Sequence, residues 1–575
     1  MSPDKVPANR ATWKRLSSAA RWRRANAVVD QSELLPIVEH TLHATTGRPR
    51  EFTARALMVC LLMHAFNGDS MVLTEAVETA SHLTPSQRRE LGLNDVTYPM
   101  LWEAFRNVAK AFANGGLPIP GTGEALTAQV FADRLIAASL PPTFIPPSSS
   151  YAIDGTDYET PARRRSWANK KSISTAGTEI PEGTVLAPDK PHNEDGWPKV
   201  GADNEPQNSM DLNARDGFRT GHNGKPGDVY VGYELHLATP IRAVGGGDVP
   251  HVVTAMTLTP AGTYRGLAGV RTVDALLATG REVTEICADR GYTYCVPKAF
   301  VLPLWRRGVD VWADFHRNQR GDHPGPIPGT LWIDGNVYSQ CIPEVMKKIA
   351  PPPLFSKPEE TAAARAAFDR RQAYAFTALS KRDTDGYQRL KGPALAGHVR
   401  CPNVPKSMRL SYDHPTTTCV KGEPCACGRT VTIAPDMYPR ERQTHPWGTT
   451  DWAAAYYRRT AIESTNAELK THRSSFRRGF TRVFGTIKNT MLFAFAIAGT
   501  NVMQLRAWHA VRRIPDPWAV ALRETDLGDG ADIETATVRA RRQARRTHTY
   551  TNIGVAPPPD DGPAEPGGID TEVTA

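Results

Sequence analysis

Three acidic residues stand where chemistry could use them. Asp154 follows the apolar run Tyr151-Ala152-Ile153 and precedes Gly155-Thr156. Asp289 follows a second such run, residues 283–288, and precedes Arg290-Gly291-Tyr292. Glu463 lies in a helical pattern. Hard divalent cations such as Mg²⁺ take oxygen ligands, carboxylates above all. An acid at the end of a buried strand is held rigidly yet stays reachable from solvent. Singly, each is also an ordinary turn residue. The helix around Glu463 is more specific. Tyr456, Arg459, Glu463 and Lys470 fall at offsets 0, 3, 7 and 14, which places them on one helical face. Asn466 extends the same stripe. A phenol, a guanidinium, a carboxylate, an amide and an ammonium do not make a core face. Residues 456–488 hold eight bases and two acids, which suits a carboxylate set among groups that contact phosphate. Tyr456 could look like a recombinase nucleophile, but its place on the carboxylate helix favours a backbone or base contact.

A second cluster is built from sulfur. Four of the eight cysteines fall within 27 residues, as Cys401-x₁₇-Cys419-x₅-Cys425-x-Cys427. Four thiolates could make a structural Zn²⁺ site, with His398 and His414 as spare ligands. The alternative is four reduced cysteines in a small domain. His236, in a strand pattern, and His316 read as packed or solvent-facing residues.

These groups need elements to position them. Residues 151–154, 229–239, 252–258, 283–288 and 309–315 read as strands, and residues 264–278 and 297–307 as helices. Strands interleaved with helices predict an α/β core with a mixed sheet. Residues 150–317 and 451–512 would form that core. Residues 318–450, rich in Pro and Gly and carrying the cysteines, read as an inserted lobe. Residues 31–142 have helical periodicity, with Thr84-Pro85-Ser86-Gln87 as a helix start, and could contact DNA. Residues 1–30 read as a basic arm, 160–227 as a long polar insertion or loop, and 513–575 as a basic patch followed by a disordered acidic tail. The apolar stretch 490–505 is a core helix that packs the Glu463 helix against the sheet.

Tyr456-x₂-Arg459-x₃-Glu463-x₆-Lys470 resembles the Y-R-E-K signature of the insertion-sequence-four family of bacterial DDE transposases. Asp154-Gly155-Thr156 and Ala288-Asp289-Arg290-Gly291-Tyr292 resemble that family's two aspartate motifs, and the stretch from His445 to Trp452 resembles the lead into its signature helix. The resemblance spans about residues 150–510. It implies a ribonuclease-H-like core, with an inserted lobe in the 173 residues between Asp289 and Glu463. It also implies that Asp154, Asp289 and Glu463 are catalytic and bind two Mg²⁺, for which Mn²⁺ could substitute. Tyr456, Arg459, Asn466 and Lys470 would then contact DNA. The implied reaction is two-metal cleavage of element ends followed by joining of the freed 3′-OH to target DNA, by a homodimer on double-stranded DNA. The polar stretch 160–227 and the cysteine cluster are not explained by the family pattern.

Composition agrees with a polyanion partner. The chain has 575 residues and a net charge of +9, although its last sixteen residues carry five acids and no base; the body is therefore more basic than the total. The longest apolar run is too short to span a bilayer, no cleavable leader is evident, and eight cysteines are too few for a disulfide scaffold. The expectation is a cytoplasmic, nucleoid-associated protein with no membrane contact. Two other functions share these features: a metal-dependent nuclease on the same core, and a domesticated, non-catalytic DNA-binding protein. The presence of all three acids argues against the idle case.

Overall fold

The computed structural model describes residues 16–42, 52–68, 70–146, 148–163, 209–219, 227–352, 356–474 and 476–524. The chain divides into two compact units, residues 22–523 and residues 1–21 with 524–575. The first carries every element that positions the acids. The basic patch near Arg539–Arg546, the acidic tail and most of the polar stretch 160–227 lie outside the described residues.

A mixed sheet is the centre of the larger unit. The Asp154 strand, Ser150–Glu159, lies between two kinds of neighbour. On one side it pairs antiparallel with the long strand Asp228–Pro240, Asp154 opposite Leu237. On the other it pairs parallel with the Asp289 strand, Glu285–Ala288, Ile153 opposite Ala288. Asp310–Trp312 adds a further parallel strand. Arg215–Arg219 and Ala255–Pro260 each pair antiparallel with the far edge of the long strand.

Strand side chains alternate between faces, and the two cores show it. Ala152, Tyr158 and Cys287 join one apolar cluster; Tyr151, Ile153, Ile286 and Ala288 join another. The second cluster is closed by helix Arg265–Ala278 and by residues 300–305. The first is closed by helix Thr486–Val511, whose residues Met491–Ala498 are all buried. Each large apolar side chain buried there contributes about 1.5–3 kcal/mol. By the same alternation Asp154 follows Ala152, and Asp289 follows Cys287, onto the face that the Glu463 helix covers.

The amino-terminal helices add to this core rather than standing apart. Leu57, Leu61, Phe105, Phe131 and Leu135 belong to the same apolar cluster as the long helix, and Phe131 meets Phe495 edge-on at 5.7 Å. Thr84 and Gln87 form the reciprocal cap expected of that helix start. Part of the expected basic arm is helix: Ser18–Gln31. Its Trp22, Ala25, Val28 and Val29 are buried, an apolar stripe that the arginines between them obscure.

Residues 318–450 build two small antiparallel sheets, one of Asp322–Pro324, Thr330–Ile333 and Asn336–Ser339, the other of Thr377–Ala378, Gln388–Lys391 and Thr430–Ile433. These have apolar clusters of their own. Among the described residues no helix is long and apolar enough to cross a membrane.

Candidate active site

Asp154 is half-buried. Its Oδ1 accepts the Gly155 N–H at 2.9 Å and its Oδ2 accepts from Asn466 Nδ2 at 3.1 Å. Burial, reinforced by the negative charge of Asp289, pushes its carboxyl up to about 6; Arg459 and Arg265 pull the other way. Asp289 caps the turn Arg290–Thr293 through the Gly291 N–H and lies 3.9 Å from Arg265 Nη1. Asp154 follows Ile153 and Asp289 follows Ala288, a pair on neighbouring parallel strands, and the two acids are close enough to repel one another.

Glu463 comes from a helix that changes pitch twice. Residues 457–459 are a 3₁₀ turn, Thr460–Ala467 is α-helical and Glu468–His472 is a π-turn. Such π-turns recur at functional sites. Ile462 and Leu469 are buried beneath it, and Thr465 Oγ1 reaches Thr239 of the long strand at 3.3 Å. That seating aims Asn466 at Asp154 and Lys470 Nζ at Asp157, 2.6 Å away. Glu463 itself is 55% exposed and accepts from Arg459 Nη2 at 2.6 Å. Arg459 also interacts electrostatically with Asp154.

The predicted stripe therefore gathers at one site, but not as free DNA contacts. Arg459, Asn466 and Lys470 are each engaged with an acid. Tyr456 is buried against Trp452, rings stacked at 5.0 Å, and burial pushes its phenol up to about 12. A shielded phenol that holds its proton is a poor nucleophile. Among the described residues the four cysteines alone bring three or more His, Cys, Asp or Glu ligand atoms close enough to share an ion; Glu463 faces Arg459 instead of the aspartates.

Glu234, Arg265 and Asp157 were not singled out from sequence. Glu234, on the long strand, is buried and pairs with Arg265 at 2.7 Å; burial pushes its carboxyl up against that pull. A Cβ on Gly155 would lie 2.5 Å from Glu234 Oε1, so glycine beside Asp154 leaves room for this second acid. Burial works to raise the Asp157 carboxyl, but Lys470 and Arg219 outweigh it and hold it below the usual range. The signal for Glu234 was present: one acid inside the strand pattern of residues 229–239. His236 is fully buried between Tyr292 and Thr259, and burial pushes it down to about 3, so it is neutral packing. Beside Asp157 opens a groove of about 330 Å³ lined by Arg219, Lys470, Arg477 and Arg478 as well as acids.

The donors around Asp154 suit a hard cation. They are oxygen atoms, the Asp154 charge is poorly compensated, and the buried Asn466 Oδ1 beside it has no hydrogen-bond partner. Magnesium fits that set.

Residues 415–506 match the family described as "Transposase DDE domain". The match contains Glu463 and the whole Tyr456–Lys470 stripe but neither aspartate, and spans under a fifth of the chain. No curated protein matches the sequence. A piggyBac transposase synaptic complex with hairpin DNA, solved by cryo-EM, aligns with 95% of this chain and 87% of its own, at 10% identity and a TM-score of 0.26; an overlay that weak fixes neither fold nor function.

Proposed function

We propose that this chain is a DNA transposase that cleaves element ends and joins the 3′-OH to target DNA, with Asp154, Asp289 and Glu463 as its catalytic, metal-binding acids. The observation that carries the reading is that Asp154 and Asp289 directly follow Ile153 and Ala288, which pair across parallel strands, on the face where a helix from the matched transposase segment docks its Asn466 onto Asp154. The strand order, with the Asp154 strand between antiparallel and parallel partners, supports a ribonuclease-H-like core.

Two Mg²⁺ ions, or Mn²⁺ in their place, would activate the attacking oxygen and stabilise the leaving one when held here. In cleavage, water oxygen bonds to phosphorus, the bond to the 3′ oxygen breaks, the water proton passes to solvent, and the departing 3′ oxygen takes up a proton from solvent. The freed 3′-OH repeats the displacement on target DNA. No covalent enzyme intermediate is needed, which agrees with the buried Tyr456. Asp154 and Asp289 would supply rigid oxygen ligands. Glu463 would exchange Arg459 for metal, and Arg459 would turn to a backbone phosphate as a charge-assisted donor. Asn466 and Lys470 hold Asp154 and Asp157 in place, and Lys470 would share its ammonium with the strand. A dimer would bring the two element ends together.

The test is a nicking, strand-transfer and filter-binding series on the DNA that flanks the gene. Asp154→Ala, Asp289→Ala and Glu463→Ala should abolish Mg²⁺-dependent nicking and joining while retaining binding, which draws on Lys and Arg contacts to phosphate. Arg459→Ala should keep partial nicking and flatten the salt dependence of binding by about one unit of slope. Normal nicking by Glu463→Ala would end this reading.

A further inference from the structure

A second cluster of potential metal ligands lies outside the acidic site. In the inserted region the Sγ atoms of Cys401, Cys419, Cys425 and Cys427 all lie within 4.8 Å of one another. Cys401 Sγ is 3.7 Å from Cys425 Sγ, and Cys419 Sγ is 3.6 Å from Cys427 Sγ. A disulfide requires about 2.05 Å, and all four are free. Zn–S bonds of about 2.3 Å in a tetrahedron separate the sulfurs by roughly 3.8 Å, which matches these spacings.

The surroundings are those of ligands. Ser339 Oγ lies 3.0 Å from Cys427 Sγ. Hydrogen bonds of this kind disperse thiolate charge and orient metal ligands. The chain around the sulfurs also needs a staple. Between Cys401 and Gly428 the only regular element is the 3₁₀ turn Ser407–Arg409, an unusually long irregular stretch for a compact region. It is tied to its neighbours by a few backbone bonds, such as Ala394 N–H to Cys427 O and Thr418 N–H to Cys341 O.

We propose that Cys401, Cys419, Cys425 and Cys427 bind one Zn²⁺ as four thiolates, a closed structural site that fixes the irregular stretch against the small sheets. Each ligand releases its thiol proton to solvent on binding, and no redox change is involved. Four protein ligands leave no open position for water, so the site is structural rather than catalytic. It stands independently of the acids and of the transposase reading.

The experiment uses the full-length protein, purified under reducing conditions. Elemental analysis should find about one zinc per chain after gel filtration. Cys419→Ser/Cys427→Ser should lose it, and Cys341→Ser, whose sulfur borders the cluster without belonging to it, should keep it. Replacement of zinc by cobalt should give the intense visible bands of tetrahedral Co²⁺ with sulfur charge-transfer bands. A strong chelator should open trypsin sites at Lys406, Arg409 and Lys421. If the double variant does not fold, the cobalt spectrum of the unsubstituted protein decides. Folded protein without zinc, a cobalt spectrum without thiolate bands, loss of zinc in Cys341→Ser, or disulfides in the reduced preparation would each overturn the proposal.

Discussion

Asp154 bears a charge that its surroundings only partly compensate. The protein holds its carboxyl at about 6 against an ordinary 3.8, through burial first and Asp289 second. A carboxyl raised in the folded state favours folding while protonated. That contribution is complete below pH ~4 and is lost as pH rises through ~6. Above that pH the ionised form is a cost, on the order of 2–3 kcal/mol for a shift of this size. Asp154→Asn removes the charge and keeps the shape. Without divalent metal, the variant should therefore melt higher than the unsubstituted chain at about pH 8, and the gap should close by about pH 4. Added Mg²⁺ should raise the melting temperature of the unsubstituted chain and leave Asp154→Asn nearly unmoved. Calorimetry across pH measures both. Equal melting at pH 8 would mean that Arg459 and Arg265 already neutralise the site.

At the scale of elements, the long helix Thr486–Val511 decides how closely its neighbours approach. A Cβ on Gly499 would lie 2.8 Å from Ala65 Cβ and 3.0 Å from the Ala65 carbonyl carbon. Gly499→Ala should cost about 1–3 kcal/mol through overpacking, despite the higher helix propensity of alanine. Adding Ala65→Gly should recover part of that loss, and denaturant titrations of the four proteins give the coupling. Simple additivity would show that the helices slide apart without strain. Periodicity made several elements readable: strand Asp228–Pro240 alternates, and helix Arg265–Ala278 keeps its apolar stripe. Three motifs and their order marked the three acids as candidates. Pairing was not readable, because Ile153 meets Ala288 across 135 positions and no local pattern encodes a parallel neighbour. Nor was the pitch change from 3₁₀ to α to π, since helical offsets assume one uniform pitch. Glu463 facing Arg459 is a matter of rotamer and charge that spacing leaves open. Helix Ser18–Gln31 was missed because its arginines look like a solvated arm until their partners are known.

One of those partners ties the ends of the larger unit together. Arg24, from the first helix, is fully buried and meets Asp516 at 2.8 Å, itself 4% exposed. The segment after the long helix therefore returns to the start of the unit, and Trp518 is buried there with its Nε1 donating to Ser139 O at 2.9 Å. A buried pair of this kind adds little over an apolar pair of the same shape, but removing one of its charges is costly because the other stays buried. Asp516→Asn keeps an oxygen to accept the Trp518 N–H, which Asp516 Oδ1 now binds at 3.1 Å, and removes only the charge. It should destabilise the protein by about 3–5 kcal/mol. Arg24→Met combined with Asp516→Asn should recover part of that loss, since the buried cation is removed together with its carboxylate. Molar salt should barely change the single-variant penalty, because a pair away from solvent is poorly screened. Denaturant midpoints in low and high salt distinguish this from a surface pair, for which the penalty would be below about 1 kcal/mol and would fade with salt. A small, salt-sensitive loss would mean that the carboxy-terminal return is not fastened through Arg24.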